Sequence, residues 1–161
     1  MINSKKAQSW GFDIMIAVMI FSVGLVFFYF FSTNSSQDTE EVLENLNYEG
    51  NNIADSLLSS GFPEDWNNFD VIRIGITDGN SVNETKLQRF YELASSNYSR
   101  TKSIFNINSN YYISMSENMT ISNQSVQYIG NYNSNPENII KLTRIVSYNK
   151  KPIALYVQVW K

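Results

Sequence analysis

The residue types that carry most protein chemistry are absent from this chain or isolated within it. Its 161 residues include no Cys and no His, which excludes disulfides, thiolate nucleophiles, His-based triads and nearly all zinc sites. Glu64 and Asp65 are adjacent carboxylates in a loop, where nothing enforces the geometry of a catalytic pair. The segment Asp78–Glu84 has part of a calcium-loop pattern, but Val82 stands where an oxygen ligand is required. We therefore predict no catalytic residue, no metal site and no cofactor.

Charge and composition limit the class of protein. The net charge is −3 and the basic residues are scattered along the chain, so no nucleic-acid footprint is present. After residue 32 the chain is rich in Asn and Ser. Because Tyr, Phe, Ile and Val recur throughout that part, there is enough apolar area to form a core, and we predict a folded domain there instead of a disordered chain.

One run near the N-terminus is apolar enough to enter a membrane. Ile14–Phe31 carries no charged residue and would be about 27 Å long as a helix, close to the thickness of a bilayer core. The alternative is a cleaved secretory signal, which has a shorter apolar region followed by small residues. Here the run ends in the bulky residues Phe27–Phe31. We therefore predict a retained transmembrane helix at 14–31.

The flanking charges predict the orientation of that helix. Lys5 and Lys6 precede it, whereas the first charges that follow are Asp38, Glu40 and Glu41. Basic residues remain on the cytoplasmic side. The prediction is a single-pass protein of the cell membrane with a cytoplasmic segment 1–13 and an extracellular domain.

The rest of the chain predicts an α+β fold. Residues 32–61 form an amphipathic extension of the first helix, because apolar residues from Val42 to Leu58 recur at helical spacing and Gly61 and Pro63 then supply a stop. Residues 62–161 form a small domain anchored at its edge by Trp66. Within it we predict strands at 71–76, 111–116 and 125–129, a helix capped by Asn83, and a C-terminal hairpin of 139–148 with 153–160. The sheet is predicted to be antiparallel.

The junction Lys5-Lys6-Ala7-Gln8-Ser9, placed directly before a long apolar helix, resembles the processing site of archaeal type IV pilins. The resemblance covers about the first sixty residues. It implies that a prepilin peptidase cuts between Ala7 and Gln8 on the cytoplasmic side, and that the helix stays on the mature protein and packs in a filament core. The alternative is that Lys5 and Lys6 only orient an ordinary membrane anchor.

The chain departs from the pilin pattern in its first acidic residue. Such pilins often carry Glu at the fifth mature position, whereas Asp13 would be the sixth residue counted from Gln8. A cut between Gly11 and Phe12 would instead make Asp13 the second. In a filament, Asp13 would pair with a neighbouring N-terminal amine, and Ser22 and Gly24 would permit close helix approach. Alternatively, Asp13 lies among the lipid headgroups.

Sequons for N-glycosylation all follow the apolar run, on the predicted outer side. They begin at Asn34, Asn83, Asn97, Asn118 and Asn123, and an Asn/Ser-rich chain also produces such triplets by chance.

The leading functional expectation is a structural subunit or minor component of a type IV pilus-like surface filament. The implied partners are the membrane, a prepilin peptidase, and further copies of this chain or other pilin-like subunits. Two alternatives stay open: a membrane-anchored extracellular binding or sensing module, and a carboxylate-based hydrolase if the fold brings distant Asp and Glu residues into one cleft.

Overall fold

The computed structural model describes the backbone of residues 4–122 and 124–161 and the side chains of residues 11–33, 40–122 and 124–161. The first element is helix α1, which comprises Ser4–Leu57. The chain divides into two compact units, Met1–Glu41 and Val42–Lys161, so the boundary falls within α1. The predicted apolar helix and its amphipathic extension are therefore parts of one helix.

The second unit continues with two short strands, two helices and four longer strands. They are β1 (Thr77–Asp78), β2 (Ser81–Val82), α2 (Glu84–Ser96), α3 (Tyr98–Phe105), β3 (Asn110–Ile121), β4 (Gln124–Gly130), β5 (Ile139–Tyr148) and β6 (Lys151–Trp160). The strands form one sheet in the order β1-β2-β5-β6-β3-β4. The predicted C-terminal hairpin is confirmed, because β5 and β6 pair antiparallel around a turn at Asn149 and Lys150.

The sheet is mixed, so the prediction of an antiparallel sheet is wrong. β2 runs parallel to β5, with Ser81 opposite Ser147, whereas the β1–β2, β5–β6, β3–β6 and β3–β4 pairings are antiparallel. The backbone N–H of Ser147 donates to the Asn80 carbonyl at 2.9 Å, which attaches the short β1–β2 hairpin to β5. Two-residue strands are too short for alternation to appear in the sequence, so this hairpin was not predicted.

The core of the second unit lies between the sheet and the helices. From α1, Leu46, Ile53, Ala54 and Leu57 are fully buried, which confirms the predicted apolar stripe. They join the alternate β6 residues Ile153, Leu155, Val157 and Val159 in one cluster. The Asn83 side chain accepts from the Lys86 N–H at the start of α2, so the predicted cap is also confirmed.

The predicted strand at 71–76 is wrong. Val71, Ile74 and Ile76 are buried, whereas Ile72 is 66% exposed. This segment lies against the end of α1, where the Ile76 N–H donates to the Leu57 carbonyl at 2.9 Å and the Thr77 N–H to the Ser59 carbonyl at 3.2 Å. The Ser56 hydroxyl donates to the Ile74 carbonyl at 2.7 Å. Phe62 in the loop after α1 supplies further partners, because its N–H donates to the Arg73 carbonyl and its carbonyl accepts from the Ile72 and Arg73 N–H groups. The end of α1 and the loop after it therefore satisfy this backbone, which forms an isolated bridge at Arg73 instead of a strand.

Candidate functional site

The first unit carries a long apolar segment of α1. Gly11–Thr33 spans 23 residues, and its most apolar 18-residue window has a mean hydropathy of 2.6, with none of that window buried within the chain. As a helix this segment is about 35 Å long, enough to cross a hydrocarbon core of about 30 Å. Its length and composition suit a single membrane-spanning helix, and an N-terminal signal sequence has the same properties.

Every side chain of this segment is exposed, including the aromatic group at its C-terminal end, Phe27–Phe31. Exposed apolar area is unfavourable in water by about 25 cal/mol per Å². A contiguous apolar surface of this extent is far larger than the patches that soluble monomers expose. The segment therefore requires lipid or other protein around it.

Helix geometry separates the three predicted assembly residues. At about 100° per residue, Gly24 lies about 20° from Asp13 around the helix, whereas Ser22 lies on the opposite side. All three are exposed, and a Cβ on Gly24 would meet no atom within 4 Å. Asp13 and Gly24 thus share one face of the apolar segment, and Ser22 does not belong to it.

The predicted processing residues lie at the start of α1. The backbone of Lys5, Lys6, Ala7 and Gln8 is helical, and their side chains are outside the described residues. The cleavage prediction therefore depends on the sequence pattern.

The sequons differ in how available their side-chain amides are. Asn118 is exposed in β3 near the irregular part of its pairing with β4. Asn97 is also exposed, and its side-chain oxygen accepts from the Arg100 N–H at 3.0 Å. The side chain of Asn34 and the whole of Asn123 lie outside the described residues.

Asn83, the remaining sequon residue, belongs to a hydrogen-bonded cluster at the start of α2. Its amide nitrogen donates to one Asp78 carboxylate oxygen at 2.6 Å. The buried Lys86 ammonium donates to the other oxygen at 2.5 Å and to the Ser60 carbonyl at 3.0 Å. Hydrogen bonds from Lys86 and Asn83 hold the pKa of Asp78 below its usual value. Because protein donors occupy both oxygens, the cluster stabilises a turn and a cap and offers no calcium loop.

The adjacent carboxylates of the loop after α1 have different surroundings. Asp65 accepts from the Arg89 guanidinium at 2.7 Å, and Glu64 is exposed. Next to them, Trp66 is fully buried and its indole N–H donates to the Gly75 carbonyl at 2.9 Å. This loop therefore joins helix and domain through a buried aromatic anchor, as the sequence indicated.

An open groove of about 770 Å³ lies along the second unit between α1, the loop after it and the end of α3. Asp55 is the one carboxylate among the described residues that line it, and its oxygen lies 3.9 Å from the Arg144 guanidinium. The groove therefore lacks the two carboxylates that acid–base hydrolysis requires. Across the described part of the chain, no group of three potential metal-binding acidic side chains occurs.

Glu49 makes contacts that the sequence does not indicate. Its carboxylate accepts from the backbone N–H groups of Asn108 at 2.9 Å and Ser109 at 3.0 Å, which attaches α1 to the segment before β3. Burial raises the pKa of Glu49, but the hydrogen bonds from Ser109 and Asn108 outweigh it and leave that pKa below its usual value. No sequence pattern marks a contact over such a separation.

A second feature missed in the sequence is a set of aromatic side chains on one face of the sheet. Tyr112, Tyr128 and Tyr132 form a cluster with ring centroids between 5.2 and 6.4 Å apart. The sequence does indicate two further aromatic residues of the same face, because Tyr156 and Trp160 alternate with the buried residues of β6. The register that brings Tyr112 and Tyr128 beside them cannot be read from composition.

No protein-family model, no curated protein and no solved structure matches the chain.

Proposed function

We propose that this chain is a structural subunit or minor component of a type IV pilus-like surface filament, inserted in the membrane before assembly. A prepilin peptidase would remove residues 1–7, leaving Gln8 as the mature N-terminus. Further copies of the chain, or other pilin-like subunits, would then surround the apolar part of α1.

One observation carries this proposal: α1 is strongly apolar and unburied over Gly11–Thr33, yet contributes fully buried residues to the core of a folded unit from Leu46 onward. A helix that only anchors a domain can be followed by a flexible linker. Here the apolar segment and the residues buried in the folded unit belong to one helix, Ser4–Leu57, as the resemblance to type IV pilins implies.

The face shared by Asp13 and Gly24 supplies a reason for specific packing. Lipid already solvates apolar side chains, so helix association in membranes depends on close packing and polar pairing. Gly24 permits close approach along the face on which Asp13 lies. An Asp13 carboxylate without a partner in an apolar filament core would cost several kcal/mol, and pairing with an N-terminal amine would remove that cost.

The first test is the mature N-terminus, measured by mass spectrometry of the native protein. We expect a chain that begins at Gln8, and replacement of both Lys5 and Lys6 by Glu should block the cut. A cut before Phe12 would support processing at the alternative site between Gly11 and Phe12. Retention of residues 1–7 would contradict processing and favour an ordinary anchor, and a soluble product cleaved beyond Phe31 would contradict membrane retention altogether.

The second test is helix association, for which the cysteine-free chain is well suited. Ala17→Cys introduces a single thiol about 40° from Asp13 around the helix. Oxidation of whole cells should give disulfide-linked dimers, and adding Asp13→Ala should reduce their yield several-fold without altering membrane insertion. A membrane-anchored binding module predicts a monomer with or without Asp13. Ser22→Cys, on the opposite side, is the matched control, and its cross-linking should depend less on Asp13.

A further inference from the structure

One face of the sheet is opposite the core and is bordered by aromatic residues. In β6, Tyr156, Gln158 and Trp160 alternate with the buried residues of the core. The register places Tyr112 of β3 opposite Gln158. We call this surface the open face and define it by Tyr112, Tyr128, Tyr132, Tyr156, Gln158 and Trp160.

The aromatic rings of the open face have a fixed arrangement. The Tyr128 and Tyr132 rings stack with centroids 5.2 Å apart and planes 28° apart. Both cover Tyr112, whose ring meets Tyr132 edge to face at 5.2 Å. Tyr132 is 51% exposed and Tyr128 is 43% exposed. The two outer rings are thus held by their neighbours while they present aromatic surface to solvent.

Hydrogen bonds orient the polar groups beside these rings. The Tyr112 hydroxyl donates to the Gln158 side-chain oxygen at 2.6 Å. The Gln158 amide nitrogen donates only a long hydrogen bond, at 3.5 Å, to the Ser114 hydroxyl. The Trp160 indole N–H donates to the Asn131 carbonyl at 3.2 Å. The open face therefore combines preoriented rings with an amide donor that has spare capacity.

The charge of the surface selects between ligand classes. The six residues that define the open face are uncharged. Lys141 of β5 lies on the same face, opposite Gln158, and its ammonium is 3.8 Å from the centroid of the Tyr156 ring. That cation is already engaged by an aromatic face. A polyanion would find no cluster of free basic groups here, and a cationic ligand would find no carboxylate among the residues that define the face. Charge complementarity therefore favours a neutral ligand.

From this combination we infer that the open face binds a neutral glycan. Pyranose rings present C–H bonds to the negative face of an aromatic ring, and their hydroxyls hydrogen-bond with amides. Tyr and Trp supply large rigid contact surfaces at a low cost in conformational entropy. Single-stranded nucleic acid also stacks on aromatic rings, but its binding depends on basic grooves that follow the phosphates. This inference is independent of filament assembly.

The test measures binding of the full chain, solubilised in a detergent without a sugar headgroup, by calorimetry. The neutral probes are the hexasaccharides of glucose, mannose and N-acetylglucosamine, and the charged probes are hexagalacturonate and oligothymidylate. We expect at least one neutral probe to bind in the millimolar range or tighter, with weaker binding of both charged probes. Absence of binding by all three neutral probes, or preference for a charged probe, would overturn the inference.

Variants then locate the binding surface. Tyr132→Ala should weaken binding of the neutral probe by about five- to tenfold through loss of one ring, whereas Tyr128→Phe should preserve it. Phe69→Ala, which removes an aromatic side chain that is 93% exposed in the loop after α1, is the matched control. If Tyr132→Ala alters the unfolding midpoint, Tyr128→Ala replaces it. Unchanged binding in the alanine variant, or loss of filament incorporation without loss of glycan binding, would assign the face to another role.

Discussion

The two parts of α1 differ in what surrounds their apolar side chains. Between Gly11 and Thr33 the helix is unburied, and from Ile14 to Phe31 it carries no charged residue. From Val42 to Leu57 its apolar residues occupy one stripe, and Leu46, Ile53, Ala54 and Leu57 are fully buried in the core of the second unit. The apolar side chains of the second part are thus covered by the core of the chain, whereas those of the first part are exposed.

This difference has a consequence for mutation. In the second unit each buried residue contributes to the free energy of folding, and truncating it leaves a cavity. In the apolar segment the same truncation removes no contact within the chain, so it should affect only insertion and association with other helices. Stability and assembly are therefore expected to respond to different parts of one helix.

The largest effect is expected from removing the amphipathic part of α1. A chain that begins at Asp38 keeps the buried stripe and should unfold cooperatively, whereas a chain that begins at Phe62 loses it. Because each of the larger buried side chains contributes about 2–5 kcal/mol and domains are stable by about 5–15 kcal/mol, the shorter chain should show no cooperative transition in thermal circular dichroism. Equal melting temperatures for the two would mean that the stripe serves contacts between subunits.

A smaller effect is expected from a matched pair of glycine substitutions. A Cβ on Gly75 would lie 2.2 Å from the Gly61 nitrogen and 2.2 Å from the Ser59 carbonyl oxygen, both backbone atoms that cannot move independently. Gly75→Ala should therefore destabilise the second unit by several kcal/mol. Gly24→Ala meets no atom within 4 Å and should leave the unfolding free energy unchanged. Denaturant unfolding of both variants checks this, and a stable Gly75→Ala would contradict the close contact.

Periodicity explains what the sequence predicted well. The apolar run, the stripe from Val42 to Leu58 and the alternation in β6 are long patterns that repeat a single period, so each specifies an element and its buried face. The Asn83 cap was also predictable, because an Asn before a helical pattern satisfies a free N–H locally.

The errors arose where long-range contacts decide the structure. Residues 71–76 are apolar enough for a strand, but the end of α1 and Phe62 in the loop after it provide their hydrogen-bond partners, and no local pattern shows that. The parallel β2–β5 pairing depends on a hairpin of two-residue strands. Likewise the aromatic cluster of Tyr112, Tyr128 and Tyr132 requires the register of β3 with β4, and register is set by the whole fold.

The smallest expected effect concerns a carboxylate at the folded end of α1. Glu49→Gln weakens the two hydrogen bonds to the N–H groups of Asn108 and Ser109, and should cost about 1 kcal/mol because Glu49 is half-buried and partly screened by solvent. Glu44→Gln, at an exposed position on the same helix, is the matched control and should have no effect.

The pH dependence of that cost tests its electrostatic origin. Since the pKa of Glu49 is lowered in the folded chain, its contribution is complete above the unfolded value of about 4.3 and is lost as the pH falls through the lower folded value. The difference in unfolding free energy between the wild-type chain and Glu49→Gln should therefore be largest at neutral pH and shrink at more acidic pH. Taking this difference cancels the acid sensitivity of Asp78, which both chains share. A difference that stays constant across the titration would mean that Glu49 acts through packing alone.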